Sequence, residues 1–140
     1  MFSNINYKNI ILFILTASFG LIAIVIPPLF LPVEHYESPL FPLVRTGIET
    51  FSFYSMALLI LCGITAGVLS PTHKFLWSFA SVLFFPLLSI AEMIVDPESH
   101  KLWRIEFTLT YGFFFLITLL GTLLGKFIRE MIDWAVCRKK

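Results

Sequence analysis

Long uncharged runs alternate along this chain with short charged connections. Residues 10–26, 50–69, 75–90 and 107–124 contain no Asp, Glu, Lys, Arg or His. None shows the apolar/polar alternation of a barrel strand, so each predicts a continuous apolar helix. A hydrocarbon core of roughly 30 Å needs about 20 helical residues at about 1.5 Å rise each. With their flanks the runs predict membrane-spanning helices at about 9–30, 48–69, 74–95 and 105–126. The expected fold is an all-α integral membrane protein, a single four-helix transmembrane domain over residues 1–140.

Composition excludes the soluble alternative. Hydrophobic residues make up 58% of the chain and its mean hydropathy is +0.89, too apolar for a domain that needs a charged surface to stay dissolved. The connections are too short to bury a core of their own. Lys8 ahead of the first run resembles a signal peptide, yet Pro27, Pro28 and Phe30 provide no small-residue cleavage site, so that helix is expected to be retained.

Charge predicts orientation. With a cytoplasmic N-terminus, Lys8, Lys74, Lys126, Arg129, Arg138, Lys139 and Lys140 lie inside, against Arg45, Lys101 and Arg104 outside. That bias favours both termini in the cytoplasm and a plasma (inner) membrane location. Glu34, Glu37, Glu49, Asp96, Glu98 and Glu106 then fall on the outer side, leaving Glu130 and Asp133 inside. The net charge of +1 conceals this polarity.

Small residues and proline predict how the helices pack. Gly63 and Gly67 in the second helix, and Gly121 and Gly125 in the fourth, each form a Gly-x-x-x-Gly pair in the inner half of helices that run in the same direction. Such pairs let backbones approach closely, within one chain or between copies. Pro86 removes a backbone hydrogen bond and is expected to kink the third helix near residues 82–85. A shift of 58 residues superimposes Pro28 on Pro86, Glu34 on Glu92, Gly63 on Gly121 and Gly67 on Gly125, and a shift of 57 aligns Glu49 with Glu106. Two repeated helical hairpins would produce that correspondence, with Glu49 superposing on Glu106.

The candidate site is a group of carboxylates near the outer surface. Glu92 lies about one turn inside the end of the third helix, Asp96 one turn beyond it, and Glu49 and Glu106 open the second and fourth helices. Arg45 and Arg104 supply counter-ions. In one reading Glu92 pairs with an arginine and fixes how the helices dock. In the other it is partly desolvated and binds a proton or cation arriving from outside. A lipid headgroup is the third possible ligand. His35 and His100 sit near acidic residues in separate outer loops, a spacing too undiagnostic to define a metal site, so no metal or cofactor is expected.

The remaining chemistry is sparse. Cys62 in a span and Cys137 in the tail are too far apart in topology for a disulfide. Residues 127–140 are basic and amphipathic, which predicts a segment along the inner leaflet rather than a nucleic-acid contact. Phosphate-loop, nucleophile-elbow and zincin motifs are absent. The function expected is therefore non-catalytic: a subunit or regulator of a membrane complex, or a homo-oligomer, with the lipid bilayer and another membrane protein or itself as partners. A proton- or cation-coupled transporter is the alternative, and a lipid-modifying membrane enzyme the third.

Overall fold

The computed structural model describes residues 7–34, 38, 40–70, 74–95 and 107–138, and those residues contain helices and no strand. The helices are α1 (Tyr7–Phe30), α2 (Pro42–Glu49), α3 (Phe53–Leu69), α4 (Lys74–Val82), α5 (Phe84–Val95) and α6 (Gly112–Cys137), with a π-helical turn (Phe107–Tyr111) leading into α6. Three spans are long and apolar enough to cross a membrane: α1, the α4–α5 unit over Phe75–Val95, and α6. The bent pair α2 and α3 makes a fourth if counted as one span. The chain is a helical membrane protein whose described residues hold three to four such spans.

Two helices differ from the continuous rods expected, and the third is broken within the stretch where Pro86 predicts a kink. The second does not run unbroken over 48–69. It ends at Glu49 and restarts at Phe53, and the axes on either side meet at 100°. Ser52 makes the break, because its extended backbone ends the regular turn while its side chain accepts the Ser55 N–H at 3.2 Å as an N-cap. The third helix breaks at Leu83, three residues before Pro86, where Leu83 N–H bonds Ala80 O in a tightened turn. Proline has no N–H to offer the Val82 carbonyl, and its ring crowds that oxygen. The fourth helix is not confined to 105–126. Among the described residues it opens with the π turn and continues as one helix to Cys137.

Backbones meet directly along α3 and α6. A methyl built on Gly63 would overlap the Thr118 carbonyl oxygen and stand 2.9 Å from the Gly121 Cα, and one on Gly67 would overlap the Thr122 oxygen. Reciprocally, Gly121 abuts the Ile60 oxygen and Gly125 the Ile64 oxygen. Contacts ascend together in both helices, so the pair runs parallel, and a shift of 58 residues carries Ile60, Gly63, Ile64 and Gly67 onto Thr118, Gly121, Thr122 and Gly125. The seam therefore has a local two-fold: Gly63 meets Thr118 as Gly121 meets Ile60. Glu106, the other half of the expected superposition test, lies outside the described residues.

Hydroxyls and two further glycines tie the remaining helices to this seam. Ser78 of α4 hydrogen-bonds Thr122 of α6 at 3.0 Å, both fully buried. Gly20 of α1 lies against the Ser81 backbone of α4, and the Trp77 indole N–H reaches Ser70 O at 3.0 Å. Gly47 of α2 lies on the Ile24 carbonyl oxygen of α1, the acceptor whose helical donor Pro28 removes. Apolar packing fills the opposite end of the bundle from the chain tail, with Ile24, Leu59, Val82, Phe85, Phe114 and Ile117 as its core.

Because backbone cannot retreat from backbone, Gly63→Val is expected to cost about 1–3 kcal/mol or more. Gly112→Ala, where a methyl meets nothing within 4 Å, is expected to cost nothing or to stabilise slightly. Unfolding in detergent micelles followed by circular dichroism measures both, and equal behaviour of the two variants would refute the seam.

Candidate functional site

The chain folds its polar groups together where α1 ends and α3 and α6 begin. There α2 crosses the end of the bundle, anchored by fully buried Thr46 and by Gly47. Pro42 in its first turn removes a donor that no helix-start position could use. Arg45 and Glu49, one turn apart, form an ion pair at 4.0 Å with both side chains partly in solvent. An exposed pair of this kind contributes little to stability, on the order of 0.3–0.5 kcal/mol. Its effect is to place a guanidinium and a carboxylate on the side of α2 that faces α5.

α5 contributes the buried component. Glu92 is 4% exposed, one turn from the end of its span, and accepts a hydrogen bond from the Ser38 hydroxyl. Ser38 in turn accepts the Phe41 N–H at 3.1 Å, so one serine joins the start of α2 to the carboxyl of α5. One turn below, Ser89 is bonded to the Tyr111 hydroxyl. Tyr111 closes the π turn, whose extra residue re-aims the side chains ahead of α6. Its ring stacks on Phe85, with centroids 6.3 Å apart and planes within 6°.

These groups surround a cavity of about 120 Å³. Phe41, Val44, Arg45, Ile48 and Glu49 form the α2 wall, Leu88, Ser89 and Glu92 the α5 wall, and Thr110 and Tyr111 the third side. Phe85 and Phe114 lie one helical turn deeper than Ser89 and Tyr111. With Phe51 they make an aromatic floor, their centroids 4.8 and 5.6 Å from Phe114.

Of the carboxylates and arginines singled out in the sequence, Glu92, Glu49 and Arg45 share this cavity. Asp96, Arg104 and Glu106 lie outside the described residues, as do His35 and His100. Among the described residues no group of three His, Cys, Asp or Glu side chains is placed to hold a metal ion. Gly63, Gly67, Gly121 and Gly125 meet on the α3–α6 seam away from the cavity, and Pro86 lies one turn before Ile90 on α5. Sequence reasoning missed Ser38, Ser89, Thr110 and Tyr111. Ser89 was findable, since it stands three residues before Glu92 and so shares its face; Ser38 was not, because its partner is 54 residues away.

A second, apolar groove of about 330 Å³ lies on the flank between α1 and α3, lined by Ile26, Pro27, Phe30, Leu31, Tyr54, Ala57 and Leu58. It carries no titratable group except the phenol of Tyr54.

Ser38→Ala leaves the buried Glu92 carboxyl without that donor and is expected to lower stability by about 1–3 kcal/mol. Thermal unfolding in micelles measures it, and an unchanged midpoint would refute the linkage. Compared with protein-family models, with curated proteins and with solved structures, the chain finds no match.

Proposed function

We propose that the protein is a small non-catalytic membrane subunit or regulator, a four-span bundle of two related hairpins with both termini in the cytoplasm of a cell whose plasma membrane holds it. The observation that carries this reading is the end of α6. Its 26 residues measure about 39 Å, longer than a hydrocarbon core of roughly 30 Å. From Phe127 onward its side chains are exposed on every side. At about 100° per residue, Phe127, Ile128, Met131, Ile132 and Trp134 fall within an arc of about 160°, and Arg138 at the helix end shares that arc with its guanidinium 4.7 Å from the centre of the Trp134 ring. Lys126, Arg129, Glu130 and Asp133 occupy the other half, joined as i,i+4 ion pairs at 3.5 and 3.2 Å. Trp134 remains 62% exposed.

A helix with so segregated a surface, continuous with a span, supports binding of an apolar groove or helix beside the membrane. Continuity with α6 argues against the tail lying flat on the inner leaflet, which would require a bend. The cavity at Glu92 lends support to the coupled-transport alternative. The packed rings of Phe51, Phe85 and Phe114 weigh against it, since they put apolar side chains one turn deeper in the bundle than Ser89 and Tyr111.

Native mass spectrometry of the protein purified from its own membranes in mild detergent is expected to show a stable assembly, either with a second membrane protein or with further copies. Ile132→Glu is expected to dissociate it at unchanged helicity. A monomer in the wild type, or an assembly indifferent to that substitution, would overturn the reading. The topology has its own test. Cys137 is exposed while Cys62 is buried, so a membrane-impermeant maleimide should label one thiol, and only after cells are permeabilised. Labelling of intact cells would place the tail outside.

A further inference from the structure

We infer that the exposed end of α6 docks into an apolar groove of a different protein, one that carries carboxylates where the groove receives Arg138. The inference rests on the subunit reading and narrows it to a partner of stated charge. Phe127, Ile128, Met131, Ile132 and Trp134 present the arc that a groove enclosing about half of a helix would cover. Trp134 is the bulkiest of them and supplies the central anchor.

Charge along the same segment selects the partner. Lys126 and Arg129 are matched within the helix by Glu130 and Asp133, so the polar face is neutral over residues 126–133. Beyond Asp133 the sequence holds Arg138, Lys139 and Lys140 and no acid. A helix C-terminus carries about half a negative charge, so about two and a half of those three positive charges are in excess of what the helix end itself offsets. Arg138 is exposed, and its guanidinium lies over the Trp134 ring rather than on a carboxylate of any described residue. The excess therefore sits beside the apolar arc, and a groove with acidic groups next to its apolar floor matches both.

The same charges argue against the other occupants. Copies inserted in the membrane with one orientation bring their α6 ends together in parallel, so Arg138, Lys139 and Lys140 of each would meet like charges. Anionic headgroups are too distant. Lys126 is the first charged residue after the apolar run, and Arg138 stands about 18 Å further along the axis. Screening at physiological salt confines attraction to about 8 Å.

The full-length protein purified from its own membranes in mild detergent tests this. The expected assembly contains a second polypeptide. Arg138→Glu is expected to weaken it at least tenfold in a dilution series followed by mass photometry, as is sodium chloride at about 1 M, where the screening length is about 3 Å. Arg138→Lys is expected to retain it. In that variant a zero-length carbodiimide, which joins an amine to a carboxyl group touching it, should couple the introduced amine to an Asp or Glu of the second polypeptide. The salt arm needs no variant and serves where a substitution disturbs folding. An assembly that Ile132→Glu dissociates but that Arg138→Glu and salt leave intact would overturn the acidic partner while the subunit reading stands. So would an assembly made of further copies alone. Coupling to phosphatidylserine in place of a polypeptide would assign the basic end to lipid and overturn the inference. A chain that runs alone would overturn both.

Discussion

Contact of backbone on backbone between α3 and α6 is the constraint from which the rest of the packing follows. In a bilayer, apolar side chains gain nothing by leaving lipid for one another, so helices associate where their surfaces fit closely enough to add dispersion contacts and short polar links. Gly63, Gly67, Gly121 and Gly125 remove the side chains that would hold the axes apart. Once the two helices are that close, Thr118 and Thr122 are enclosed, and each satisfies its hydroxyl by bonding a carbonyl of its own helix, Phe114 at 2.6 Å and Leu119 at 2.8 Å. Thr122 also engages Ser78, which brings α4 to the seam. α1 then fills the remaining side through Gly20 on Ser81 and through the Cys62 thiol, 3.6 Å from the Thr16 carbonyl oxygen.

A second constraint operates at the α2 end, where prolines leave helical carbonyls without donors. Pro28 does so for Ile24 and Pro86 for Val82. At the first of these, α2 supplies Gly47, whose bare Cα is the only kind that can lie so near a carbonyl oxygen. That contact holds α2 across the bundle, and α2 in turn carries Arg45 and Glu49 to the vicinity of Glu92. The polar cavity thus depends on a proline in one helix and a glycine in another, neither of which lines it.

The spans were legible because absence of charge over some 20 residues is a strong local signal. The small-residue pairs were legible as a pattern, and so was their shared offset, but which surfaces they joined is a tertiary fact. The short helix α2 was hidden. Its charged residues and flanking prolines read as a connection, and the uncharged residues Thr50, Phe51 and Ser52 read as the start of the next span, although Ser52 is a helix cap. For the same reason the site was half legible: Glu92, Arg45 and Glu49 stood out as charges at the edge of apolar runs, whereas hydroxyls such as Ser38 and Tyr111 carry no such contrast. The π turn left no trace in composition.

The break at Ser52 has a mechanical result for the surrounding lipid. α3 has only 17 residues, about 26 Å of helix, whereas α1 on its flank has 24 and reaches about 36 Å. A span of that length is shorter than a hydrocarbon core of roughly 30 Å, a mismatch that lipid meets by thinning. Taken as a span by itself, α3 would leave that flank of the bundle shorter than the flank along α1.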